Sequence, residues 1–116
     1  MSSDASCEEV RAELIRLLES DDYRITESAK ATAYPILRAA GQMLTEGAII
    51  EYITHLLRTN FPFHVEPLGE PPGSRGTGYV MNNADGRGLY IKVKIEQRRT
   101  DEVHVLSFHI SKHYRG

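Results

Sequence analysis

Residues with reactive side chains alternate with apolar residues in two short segments near the C-terminus. In residues 89–95 (LYIKVKI) the odd positions are aliphatic, and Tyr90, Lys92 and Lys94 occupy the even positions. This period of two predicts a β-strand with one face toward the core and one polar face. The strand therefore presents a phenol and two amines side by side.

The second segment, residues 103–110 (VHVLSFHI), places large apolar residues at 106, 108 and 110, so Ser107 and His109 lie on the other face. If both apolar faces join one core, with residues 98–101 as the connection, opposed residues have numbers that sum to 199. Tyr90 then lies opposite His109, and Lys92 lies opposite Ser107. Directly opposed Cβ atoms are about 4.5–5.5 Å apart, so these side chains should form one patch. His104 falls on the core-facing register and should be partly buried and hydrogen-bonded.

A third strand should extend the same patch. Asp85-Gly86 is a hairpin signal, and a two-residue turn there pairs residues whose numbers sum to 171. Val80 then opposes Ile91 on the core side, and Tyr79 joins the polar face.

This combination of side chains fits metal-free RNA cleavage. The reaction needs a base for the 2′-hydroxyl proton, an acid for the leaving 5′-oxygen and a cation for the phosphorane. His109, Tyr90 and Lys92 are the candidates for these three roles. The remaining candidates, as substrate-binding residues, are Tyr79, Arg75, Ser107 and Lys94. The alternative interpretation is an ordinary solvated sheet face.

Three helices should precede the sheet. Ser6 and Glu9 form a capping box for a first helix over residues 7–19. Residues 23–25 form a short extended piece, and Thr26 caps a second helix that should kink or restart at Pro35. Thr45 caps a third helix that ends near residue 60.

From residue 61 the hydrophobic period changes from helical to alternating. Apolar residues alternate over 61–65, residues 69–77 (GEPPGSRGT) form a turn-rich loop that includes Arg75, and 79–82 form a strand. The sequence therefore predicts an α+β domain, with N-terminal helices packed on one face of an antiparallel sheet of about four strands.

The chain has 116 residues, of which 41% are hydrophobic and 26% are charged, as expected for one globular domain. We divide it into an N-terminal helix (1–20), further helices (23–60), a sheet (61–110) and a tail (111–116). The net charge of −2 argues against a dedicated nucleic-acid binder, because contacts to phosphates need a basic surface. Residues 1–60 carry ten acids and six bases, whereas residues 61–116 carry six acids and eight bases, so a polyanion site belongs in the second half.

The order of RITESAK, an aliphatic helix, GYVMN, LYIKVKI and VHVLSFHIS resembles the mRNA-interferase toxins of the MqsR type over about residues 23–110. This resemblance implies a RelE-like or barnase-like fold, an RNA substrate and a cognate antitoxin. It also implies that Tyr90, in the YLKI-like segment, and His109, directly after SF, act in RNA cleavage. His109 stands where the family has lysine, and Tyr79 stands where it has tryptophan.

A non-enzymatic binding module, such as an immunity or inhibitor protein, is the second hypothesis. It would use a contiguous acidic patch to cover a basic partner, whereas the enzyme should be positive around its catalytic residues. The residues of that acidic patch would be Glu8, Glu9, Glu13, Glu19, Asp21 and Asp22.

No cofactor is expected, because no HExxH motif or cysteine spacing indicates a metal site, and Cys7 is the single cysteine. No apolar run reaches the roughly 18 residues of a membrane span, and the N-terminus is acidic where a signal peptide is basic. We therefore expect a cytoplasmic protein without a membrane partner. The pattern leaves the oligomeric state open.

Overall fold

The computed structural model describes residues 3–68, 76–97 and 99–111, which form three helices and five strands. The α+β class is confirmed. The helices are α1 (Ser3–Glu19), α2 (Glu27–Ala39) and α3 (Glu46–Arg58). The strands are β1 (Tyr23–Ile25), β2 (His64–Pro67), β3 (Thr77–Met81), β4 (Leu89–Glu96) and β5 (Glu102–Ile110).

Two helices begin at the predicted threonines. The Thr26 hydroxyl accepts the Ala29 amide at 3.1 Å, and the Thr45 hydroxyl accepts the Ala48 amide at the same distance. Each bond satisfies one of the free amides of a first helical turn. The capping box at Ser6 is wrong, because α1 already begins at Ser3.

All three helices end in the same motif. Asp21, Gly41 and Asn60 follow the helices with positive φ angles of 62°, 74° and 64°. The next residue donates its amide to the carbonyl five positions earlier, which defines a Schellman end. These bonds are Asp22 to Leu17 (2.9 Å), Gln42 to Leu37 (2.8 Å) and Phe61 to Leu56 (2.9 Å).

The sequence predicts a kink or a restart at Pro35, and the restart does not occur, since α2 runs through this residue. Proline removes one hydrogen bond, the one to the carbonyl four residues earlier. That carbonyl belongs to Ala31, and both residues are exposed. Water can therefore solvate the freed carbonyl, which lowers the cost of the proline.

The five strands form one mixed sheet in the order β1-β5-β4-β3-β2. Four strands are antiparallel neighbours, as predicted, but β1 pairs with β5 in parallel. The expectation of a purely antiparallel sheet of about four strands is therefore wrong. The Val103 amide donates to Asp22 at 2.9 Å and the Thr26 amide donates to Val105 at 3.1 Å, so bonds flanking β1 join it to β5.

The helices pack on one face of this sheet. Leu14, Leu17 and Leu18 of α1 are buried in the same core as the residues of the central strands, so this helix docks on the domain. The core residues of the sheet are Ile25, Met81, Leu89, Ile91, Val93, Val103, Val105 and Phe108.

Among the described residues, no helix combines the length and the apolar character that a membrane crossing requires.

Candidate functional site

The sheet face opposite the helices, here called the polar face, carries most of the predicted site. Its central members come from β4 and β5, which are paired along almost their whole length. Residues that pair directly share a face, so the strand registers define the set. The polar face comprises Arg24, His64, Glu66, Gly78, Val80, Tyr90, Lys92, Lys94, Glu96, Glu102, His104, Ser107 and His109.

Tyr90 and His109 are direct neighbours on this face, as the sequence predicts. Their rings are stacked, with centroids 5.2 Å apart and an interplanar angle of 24°. Both side chains are half-buried, so each keeps contact with solvent. The two rings therefore form a stacked, solvent-accessible pair on the central strands.

The surroundings give the two rings different hydrogen-bonding and acid-base properties. The His109 Nδ1 atom lies 3.2 Å from the Ile110 carbonyl oxygen. A carbonyl can only accept, so this contact favours the tautomer with a proton on Nδ1 and a lone pair on Nε2. Burial raises the pKa of Tyr90, with Lys92 opposing and Glu66 adding to the rise. The tyrosine is therefore a neutral proton donor at neutral pH, and the imidazole can accept a proton.

Lys92 lies opposite Ser107, as predicted, and its ammonium is 3.1 Å from the Glu66 carboxylate on β2. Gly78 on β3 allows the Lys92 side chain to extend across β3 to Glu66. A Cβ atom at Gly78 would stand 3.3 Å from Lys92 Cε, so the lysine crosses the strand where no side chain protrudes. Glu66 is the site residue that the sequence analysis missed. In the segment HVEP (residues 64–67), His64 and Glu66 alternate with apolar residues, and this alternation could have indicated that Glu66 lies on the polar face of a strand.

The far end of the polar face holds a second group of charges. Lys94 pairs with Glu96 at 2.6 Å, and His104 Nε2 is 2.8 Å from Glu102. Arg24 on β1 approaches the same Glu102 carboxylate at 3.6 Å. Among the described residues, the cations Arg24, Lys92 and Lys94 are thus offset by three carboxylates, those of Glu66, Glu96 and Glu102. The polar face is therefore not strongly positive.

Tyr79 is misplaced in the sequence analysis. It pairs with Val93 on the helix side of the sheet, and Val80 lies opposite Lys92. The connection between β3 and β4 spans residues 82–88 instead of a two-residue turn, which shifts the register by one and reverses the faces. Tyr79 packs edge-to-face against Phe63 with centroids 5.6 Å apart, so it is not available to the site.

His104 and Leu106 also differ from expectation, because the β4–β5 ladder contains an irregularity at Lys92/Val93. Val93 pairs with Val105, so Leu106 is the extra residue of a bulge. His104 consequently lies on the polar face beside Lys94, although it is half-buried and hydrogen-bonded as predicted. Arg75 lies outside the described residues.

A groove borders the site where α2 covers the free edge of β5. The Thr32 hydroxyl donates to the Phe108 carbonyl at 2.7 Å and holds the helix against this edge. The groove has a volume of about 560 Å³, and His109 lines it together with Pro35 and Ile36. Space for a ligand therefore adjoins the imidazole.

The acidic patch of the second hypothesis is only partly intact. Glu13 pairs with Arg16, and Glu19 pairs with Arg58, so two of the six carboxylates are neutralised. Glu8, Glu9 and Asp21 are exposed. Within the described ranges, no three histidine, cysteine or acidic side chains converge to hold a metal ion.

Comparisons of the chain with family models, curated proteins and solved structures find no match.

The partly buried tyrosine side chains predict a loss of stability at alkaline pH. Burial raises the pKa of Tyr23, Tyr52, Tyr79 and Tyr90. An unfolded tyrosine ionises near pH 10, so the folded state binds these protons more tightly. Their contribution to stability is complete below about pH 10 and is lost as the pH rises through the higher folded values.

On the alkaline side, we therefore expect the urea midpoint to fall above about pH 10, in step with tyrosinate absorbance. Tyr52→Phe should reduce this fall, because it removes one titrating group. A midpoint that stays constant through the rise in tyrosinate absorbance would contradict the prediction.

Proposed function

We propose that the chain is an endoribonuclease of toxin type that needs no metal and uses His109, Tyr90 and Lys92. The stacked Tyr90–His109 pair supports this proposal best, because it holds a proton acceptor and a proton donor together on two central strands. Lys92 follows Tyr90 on the same face and supplies positive charge. A cognate antitoxin would be a protein that covers this pair.

In the proposed reaction, His109 Nε2 takes the proton from the 2′-hydroxyl. The 2′-oxygen attacks the adjacent phosphorus, and the bond from phosphorus to the 5′-oxygen breaks. Tyr90 gives its hydroxyl proton to that leaving oxygen, and the resulting phenolate regains a proton from the imidazolium or from water. The products are a 2′,3′-cyclic phosphate and a 5′-hydroxyl end.

Lys92 would stabilise the charge on the phosphorane oxygens. In the free protein its ammonium is paired with Glu66, so the phosphate must compete with this carboxylate. The Ser107 hydroxyl, directly opposite Lys92, can donate to the same phosphate. Lys94 is engaged by Glu96 and would contact the RNA backbone further along the strand.

The binding module remains the second candidate, and one observation favours it. The lysines of the polar face are both paired with carboxylates, whereas Glu8 and Glu9 are exposed on α1. A basic protein partner would meet these glutamates without displacing an ion pair between described residues. In this hypothesis the polar face is an ordinary solvated surface.

Incubation of the pure protein with single-stranded RNA and EDTA tests the proposal, with and without ribosomes. We expect cleavage products with 2′,3′-cyclic phosphate and 5′-hydroxyl ends. A parallel preparation of Tyr90→Phe controls for contaminating nuclease, since both preparations share the same host and purification. Equal cleavage by the two preparations, or intact RNA in every reaction, would overturn the proposal.

A further inference from the structure

The last strand of the sheet, β2, has an edge that can accept another strand. Among the described strands, β2 lies at the end of the sheet order and pairs only with β3. Val65 in this strand is an apolar residue that is 55% exposed. Exposed edge strands are templates for pairing with a further chain.

The hydrogen bonds to β3 determine which main-chain groups point outward. The Leu68 amide donates to the Gly76 carbonyl at 3.1 Å, beside the paired residues Pro67 and Thr77. In an antiparallel pair, bonded and non-bonded positions alternate, so Glu66 bonds to β3 and Val65 does not. The amide and carbonyl of Val65 therefore point to the free edge. Pro67 adds a carbonyl there but no donor.

We propose that β2 pairs antiparallel with β2 of a second copy of this chain, with Val65 opposite Val65 on the two-fold axis. The two Val65 residues would exchange two main-chain hydrogen bonds. Their side chains would contact each other on the helix side of the sheet. A two-fold axis requires this self-complementarity, because each copy presents the same strand.

The polar side chains of β2 favour this register. With Val65 on the axis, His64 of each copy lies opposite Glu66 of the other copy. The two side chains share this face, since their head groups lie 3.7 Å apart within one chain. A shift that places Glu66 opposite Glu66 would bring like charges together, which is destabilising for directly opposed residues. The sequence of β2 thus favours the register with Val65 opposite Val65 over the neighbouring register with Glu66 opposite Glu66.

The contact is short, because β2 has four residues. It should therefore bury less than the roughly 1,600 Å² of a standard interface, and the dimer should depend on concentration. Pairing would join the two sheets into one of ten strands, with both polar faces on the same side.

Cysteine cross-linking tests the register in a Cys7→Ser background. Directly opposed bonded residues have Cα atoms about 5.5 Å apart, which a disulfide can bridge. We expect Val65→Cys to form a disulfide dimer at least about tenfold faster than Ile110→Cys, since pairing gives the thiols a high effective concentration. Ile110 is the control because it is also exposed and lies on another strand.

Two further variants separate this register from its neighbours. His64→Cys and Glu66→Cys should each form no disulfide dimer alone and should cross-link when the two variants are mixed. Val65→Lys should abolish concentration-dependent dimerisation of the unmodified chain in sedimentation velocity, with an unchanged circular dichroism spectrum. Equal cross-linking rates at 65 and 110, or a disulfide dimer of Glu66→Cys alone, would overturn the proposal.

Discussion

Replacing His109 by alanine is expected to lower the rate of RNA cleavage by about 10²–10⁴, the usual cost of removing a positioned acid or base. Without the imidazole, only water can take the 2′-hydroxyl proton. Tyr90→Phe should cause a loss of similar size, because it removes the hydroxyl and keeps the ring. Initial rates on a short single-stranded RNA, measured with saturating enzyme, give the comparison.

Neither substitution should affect the fold much. Both side chains lie on the polar face and are half-buried, outside the core. We therefore expect nearly unchanged thermal midpoints for His109→Ala and Tyr90→Phe. His104→Gln is the matched control, since this histidine lies on the same face but contacts Glu102 instead of Tyr90. It should cleave RNA at the parent's rate.

Cleavage by His109→Ala at the parent's rate would show that the catalytic assignment is wrong. The binding module would then be the better hypothesis. Its test is the loss of partner affinity on replacing the exposed Glu8 and Glu9.

The centre of this site was predictable because β4 has an uninterrupted alternation. Leu89, Ile91 and Val93 are buried, and the residues between them are half-buried. This pattern fixes which side chains share a face, and the short connection to β5 then fixes their partners. The opposition of Tyr90 to His109 is confirmed for this reason.

The bulge in β5 was not predicted, although the sequence contains a signal for it. Apolar residues occupy both Val105 and Leu106, so the alternation changes phase between them. One extra residue restores burial for Val103 on one side of the bulge and for Phe108 on the other. A strict period of two placed His104 on the wrong face.

The face on which Tyr79 lies depends on the length of the connection between β3 and β4. The local turn signal at Asp85-Gly86 did not determine this length. The Asp85 carboxylate accepts the amides of Arg87 and Leu89 at 2.8 and 3.0 Å, and the Asn83 side chain accepts the Gly88 amide at 2.8 Å. These side-chain bonds stabilise a wider connection than a two-residue turn. The parallel pairing of β1 was also beyond local signals, because three residues carry no periodicity.

Phe108→Ala is expected to destabilise the fold by about 3–5 kcal/mol, and Ile91→Ala by about 2–5 kcal/mol. Both side chains are fully buried and lie opposite each other on the helix side of the sheet. Phe108 also packs edge-to-face on Tyr52 of α3, with centroids 5.6 Å apart, so its loss opens a cavity between the sheet and this helix. Urea unfolding followed by circular dichroism measures the change.

Ile110→Ala is the matched control, because Ile110 lies on the same strand two residues away but is 42% exposed. Its truncation removes little burial and should cost less than about 1 kcal/mol. Domains of this size have a total stability of about 5–15 kcal/mol, so the core substitutions should shift the unfolding midpoint far more than the control. Equal shifts for Phe108→Ala and Ile110→Ala would mean that the helices do not pack on this face, and the division into a core face and a polar face would fail with it.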